Sequence, residues 1–205
     1  MARPKQFDRD KALMIAIEVF ADHGYEGAST ETLLKAMGLN RQSLYDTYGS
    51  KRQLYLEALQ RYNRENAEQI AHDIAAGPTP LDGLERALVA FVERAVQRPA
   101  PSCLGVRAIC EFGLRDADVL AAGAASHTLL RDAVSEAIEQ AKAAGQVRAD
   151  SEIGTATDLF LATLTGLKMS ARGGLSPERL RKMAHLAIRA LAWAHPAEVI
   201  GQRAV

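Results

Sequence analysis

The stretch STETLLKAMGLNRQSLYDTY, residues 29–48, decides the fold. Ser29 is a good N-cap ahead of a short apolar-periodic run, Leu33, Leu34 and Met37, which Gly38 closes. Only Gly38-Leu39-Asn40 separates that run from the next, in which Asn40 caps and Leu44, Tyr45 and Tyr48 mark the turns. Two short helices joined by so tight a glycine turn must cross sharply. This is the helix-turn-helix arrangement, whose second helix can lie in a DNA major groove. Leu33, Leu34, Met37, Leu39 and Leu44 form its small core, leaving Arg41, Gln42, Ser43, Asp46 and Thr47 outward. Arginine and glutamine can make paired hydrogen bonds to guanine and adenine edges, so Arg41 and Gln42 lead the candidates for base readout, followed by Ser43 and Thr47.

Working outward, Leu13, Ala16, Ile17 and Phe20 recur at spacings of three and four and predict a helix that Gly24 stops. Beyond Gly49, Ser50-Lys51-Arg52-Gln53 has the form of a capping box and opens a long helix reaching Ala75 or Ala76, before Gly77-Pro78-Thr79-Pro80 breaks the chain. Apolar-periodic segments follow at 82–97, 102–113, 116–144, 152–171 and 177–194. Aromatic residues make up only 5% of the chain, and alanine and leucine abound where β-branched residues are sparse. The expectation is an all-α protein: a three-helix helix-turn-helix domain over 1–55, joined by a long helix to a helical bundle over 56–205.

The 205 residues, 48% hydrophobic and 24% charged, can bury a proper core. Twenty-five basic residues balance 25 acidic ones, so no global field draws the protein to nucleic acid. Between Lys35 and Arg64, however, six basic residues face two acidic ones, a local excess of four, and Arg3 and Lys5 add a basic start. The N-terminus of the long helix also offers N–H groups to a phosphate beside Lys51. No run approaches the ~18 apolar residues of a membrane span, and the start lacks the apolar stretch of a secretory signal, so a cytoplasmic protein is expected. There is no phosphate loop, Gly-x-Ser-x-Gly, His-Glu-x-x-His or dinucleotide fingerprint, which speaks against an enzyme and against a bound cofactor. A helical interaction module without DNA binding is the remaining alternative.

The segment Leu13–Leu54 carries more than the turn. Its Val19-Phe20, His23-Gly24-Tyr25-Glu26-Gly27-Ala28-Ser29, Ala36-Met37-Gly38-Leu39-Asn40 and Ser43-Leu44-Tyr45-Asp46-Thr47-Tyr48-Gly49-Ser50-Lys51 together resemble the DNA-binding domain of the TetR (tetracycline-repressor) family. The resemblance implies phosphate contacts from Tyr45 and Lys51, and backbone contacts from Ser29 and Thr30. Asp46 and Thr47 stand where many relatives carry histidines. Tyr48 reads instead as a core tyrosine.

One such motif per chain reads half of a two-fold site, which implies a homodimer on a palindromic operator in double-stranded DNA. The last two long segments, Ile153–Ser170 and Glu178–Trp193, are striped with Leu159, Phe160, Leu164, Leu167, Leu180, Met183, Leu186 and Leu191, and the resemblance implies that they pair with their symmetry mates. It also implies release from DNA by a small-molecule effector, with repression the commoner mode. Candidate pocket residues are Phe91, Cys103, Arg107, Phe112, His127, Phe160 and Trp193, each of which also suits ordinary core packing.

Cys103 and Cys110 lie about 10 Å apart along one helix, too far for a mutual disulfide, and no neighbouring ligands make a metal site. Cys103 follows Pro99-Ala100-Pro101-Ser102 at a helix N-terminus with Arg107 one turn on, features that favour a thiolate. It is thus either a sensor of electrophiles or oxidants or a small packing residue.

Overall fold

The structure, a computed structural model, describes residues 8–97, 103–113 and 115–192. Arg3, Lys5 and Trp193 lie outside these. Nine helices are found among the described residues: α1 Arg9–Gly27, α2 Thr30–Met37, α3 Arg41–Tyr48, α4 Lys51–Ala75, α5 Pro80–Gln97, α6 Leu104–Phe112, α7 Ala117–Ala143, α8 Ile153–Arg172 and α9 Pro177–Leu191. The only β pairing among them is an isolated antiparallel bridge between Val147 and Ala192. The protein is all-α.

Helix limits follow the capping chemistry. Asp8, Ser29, Asn40 and Ser176 each accept a hydrogen bond from a backbone N–H in the first turn of α1, α2, α3 and α9. Gly38, at φ 66° and ψ 30°, closes α2 in the left-handed conformation, returning its N–H to the Leu34 carbonyl. Only half of the expected capping box forms at α4. Ser50 Oγ accepts from the Gln53 N–H at 3.1 Å, while the Ser50 N–H is taken by the Tyr48 carbonyl, so the Gln53 side chain reaches back to the Ser50 hydroxyl at 3.4 Å and not to its backbone. The regular part of α1 stops at Gly24, whose φ of 76° and ψ of −179° turn the chain before one further turn to Gly27.

The described residues form two compact units, one drawn from Met1–Ala67 and Ala100–Thr128, the other from Glu68–Pro99 and Leu129–Val205. The first unit therefore takes in α1–α3, the first part of α4, α6 and the start of α7. Its core holds Leu13, Ile17, Phe20, Leu33, Leu44, Leu54, Tyr55 and Leu59 together with Leu104 and Ala108 of α6. Tyr55 is wholly enclosed, its ring 5.0 Å from those of Phe20 and Tyr25 and 5.6 Å from that of Phe112.

The second unit contains α5, α8, α9 and the later parts of α4 and α7. Ile70, Leu84, Leu88, Val134, Ile138, Phe160, Leu164, Leu180 and Ile188 fill its core. Ion pairs tie its helices, among them Arg94 with the buried Asp73 at 2.7 Å, Arg181 with Glu93 at 2.6 Å and Arg131 with Asp158 at 2.5 Å.

Candidate nucleic-acid interface

Helix α3 is held from beneath and bare above. Leu44 and Tyr48 are buried, and the Tyr48 hydroxyl donates to the Arg9 carbonyl at 3.0 Å. Arg9 in turn lies 5.2 Å from the Tyr48 ring centroid and pairs with Glu57 at 2.8 Å, so α1, α3 and α4 are cross-tied at one point. Burial pushes the Tyr48 hydroxyl above its ordinary pKa, keeping it a donor. Leu33 and Met37 are buried and Leu34 and Leu39 partly so, which is the small core read from the sequence.

Arg41, Gln42, Tyr45 and Asp46 are exposed on α3, and Ser43 and Thr47 are half-buried at its flanks. Tyr45 keeps 42% of its surface although it is a large ring next to a core. Gln42 donates from Nε2 to Asp46 Oδ1 at 2.7 Å, a pairing one helical turn apart. Ser29 is exposed at the N-terminus of α2, its Oγ accepting from the Thr32 N–H at 3.0 Å, and Thr30 follows half-buried as the first helical residue. Lys51 opens α4 with Nζ 4.4 Å above the Tyr25 ring. Tyr25 was not singled out from the sequence as a partner of Lys51; its place one residue beyond the Gly24 turn is the signal that could have found it.

The basic excess counted along the sequence is smaller in space. Arg52 donates to Asp116 at 2.5 Å and lies 3.5 Å from Asp118, and Arg61 pairs with Glu65 and with Asp10. These acids, apart from their partners' short stretch of sequence, cancel two of the six positive charges. Arg52 holds the Asp116 carboxyl below its ordinary pKa, helped by the Val119 N–H. Lys35, Arg41 and Lys51 have no carboxylate partner among the described residues.

Six of the seven candidate effector residues are among the described ones, and they fall in both units. Phe91 and Phe160 belong to the core of the second unit, where Lys168 Nζ stands 5.5 Å from the Phe91 ring centroid. Cys103, Arg107, Phe112 and His127 fall in the first. Cys103 is buried as the N-cap of α6, its Sγ accepting from the Val106 N–H and facing the Tyr62 hydroxyl, each at 3.4 Å. Arg107 donates to the Asp22 carbonyl of α1 at 3.0 Å, and Phe112 packs on Tyr25 and Tyr55, so both serve the contact of α6 with the end of α1. Glu111 completes that contact by accepting from the Tyr25 N–H at 2.9 Å. His127 is exposed on α7.

Residues 13–58 match the family model described as bacterial regulatory proteins, tetR family. The solved structure of the TetR family transcriptional regulator CifR, a cysteine mutant complexed with a 26-base-pair operator duplex, is 30% identical. It aligns over 92% of this chain and 99% of that one with a TM-score of 0.74. The chain belongs to the TetR family. It is a helix-turn-helix transcriptional regulator, a member of a family of DNA-binding proteins and not of enzymes. Among other TetR-family relatives, the transcriptional repressor ComR of Escherichia coli is 25% identical over 91% of this chain and 90% of its own length. The regulator YezE of Bacillus subtilis is 55% identical over 62 residues, which cover 30% of this chain and 32% of that protein. No described helix is long and apolar enough to cross a membrane.

Proposed function

We propose that this TetR-family regulator works as a cytoplasmic homodimer that represses transcription from a palindromic operator and is released by a small-molecule effector. The observation that carries the reading is α3, anchored by Leu44 and Tyr48 with Arg41, Gln42 and Tyr45 left exposed, beside Lys51 at the start of α4. Arg41 and Gln42 read base edges with help from Ser43 and Thr47; Tyr45, Lys51, Ser29 and Thr30 hold the backbone. The operator duplex bound to the CifR mutant supports a DNA partner, and the repressor name of ComR supports repression.

The homodimer is supported by the outer faces of α8 and α9. Leu159 and Met169 on α8 and Met183 and Leu186 on α9 are large apolar side chains left exposed, Leu186 at 59%. Gly166 lies between the two α8 residues with open space where a side chain would stand, which suits close helix packing. The helical body around Phe91 and Phe160 is the place we assign to the effector. Fluorescence anisotropy against duplexes from the chain's own upstream region and other promoters, with scrambled controls at two salt concentrations, tests the reading. Sequence-preferring, salt-sensitive binding with two chains per site is expected; no salt-dependent binding to any genomic fragment would overturn it.

A second reading makes Cys103 a sensor of electrophiles or oxidants. It is favoured by the two hydrogen-bond donors at Sγ, the Val106 N–H and the Tyr62 hydroxyl, which stabilise a thiolate. Against it stands the burial of Cys103, while Cys110 is exposed. Iodoacetamide decides between them. Labelling of native protein at Cys103 well below pH ~8.5 supports the sensor, and labelling confined to Cys110 until denaturation shows a packing residue.

A further inference from the structure

The outward face of α3 carries a carboxylate where a DNA-reading surface would be expected to carry donors. Asp46 stands two residues from each buried anchor, Leu44 and Tyr48, about 200° around the helix from either, so it projects from the middle of the exposed face. Its hydrogen bond comes from Gln42, and no basic side chain pairs with it among the described residues. Duplex DNA carries one negative charge per ~1.7 Å of axis, so an ionised side chain at this apex weakens binding to every sequence unless a donor meets it.

We propose that Asp46 is a specificity-determining residue, whose carboxylate accepts a hydrogen bond from the exocyclic amino group of a cytosine or adenine in the major groove. This rests on the DNA-reading role of α3 proposed above. An ionised carboxylate only accepts, and the major-groove edges of bases donate only through cytosine N4 and adenine N6. Guanine and thymine present acceptors at the same depth and are repelled. The Gln42 bond extends the selection. With one N–H of its amide given to Asp46, Gln42 keeps its second N–H and its Oε1 for a base edge, so the pair sets the carboxylate acceptor beside a donor and an acceptor that match adenine N7 and N6.

The test is selection from a randomised duplex library by the full chain, wild type, Asp46→Ala and Asp46→Asn. Affinities are then measured for the wild-type site and each of its single base-pair substitutions. Asp46 is exposed and caps no helix, so both variants are expected to fold, with the helical circular-dichroism signal as check. The expected result is loss of about tenfold discrimination at one base pair in each half-site, where wild type selects cytosine or adenine, with other positions unchanged. Asp46→Asn, which can also donate, should admit guanine or thymine there. Uniformly tighter binding of Asp46→Ala to every duplex with unaltered preferences would overturn the proposal while leaving DNA recognition intact. Absence of any sequence preference in the wild type would instead remove the recognition reading itself, and the proposal with it.

Discussion

Gln42 and Lys51 illustrate two kinds of contact that one surface can make. Gln42 is exposed near the middle of the α3 face, whereas Lys51 stands at a helix start against the Tyr25 ring. Gln42→Ala should relax base preference and cost about 1–3 kcal/mol on the best site. Lys51→Ala should weaken all duplexes alike and flatten the salt dependence by about one charge. Anisotropy titrations of both variants over a site library check this, and equal behaviour would show that the roles are not divided. Much of this site was legible in the sequence, because Leu33, Leu44 and Tyr48 fix by their spacing which residues point outward. Long-range partners were not. Asp116 lies 64 residues from Arg52, and no local pattern foretells that it removes a positive charge from the basic count.

At the scale of single helices, stability concentrates at their ends. Gly24 occupies a backbone region open essentially to glycine alone, and a Cβ there would overlap the Glu111 carboxylate. Gly24→Ala should lower unfolding stability by about 1–3 kcal/mol, read from the urea midpoint. Ser29→Ala removes the α2 cap and should cost about 1 kcal/mol by the same measurement. The α8 cap is a carboxylate. Thr155, with the Gly154 N–H, holds Glu152 below its ordinary value of 4.5. A carboxyl depressed by folding stabilises above its unfolded pKa, and that contribution disappears as pH falls through the lower folded value. Wild-type stability should therefore drop on acidification below pH 4.5, with Asp116 adding to the same limb below 3.8, and Glu152→Gln should be less stable at neutral pH but lose less in acid. Thermal melts at neutral and acid pH check the difference. Glycines and N-caps made most helix boundaries readable. The residual turn after Gly24 was not, because it depends on Glu111 accepting the Tyr25 N–H from 86 residues away.

For the whole molecule, the assembly prediction rests on α8 and α9. Leu186→Arg places a charge on an apolar stripe that the folded chain does not bury, so it should leave the helical signal intact. It should yield monomers by sedimentation equilibrium and weaken operator binding; a variant that stays dimeric would move the interface elsewhere. Effector residues were the least legible part, because an aromatic such as Phe112, which packs on Tyr25 and Tyr55, has the same sequence signature whether or not it also lines a pocket. The gathering of α6 into the unit that carries the recognition helix has a practical corollary for protein engineering. A DNA-binding head excised after α4 would lose Leu104 and Ala108 from its core and the Arg107 and Glu111 bonds from the end of α1. Hybrids that exchange operator specificity between relatives should therefore splice in two places, transplanting the α6 segment along with the N-terminal helices.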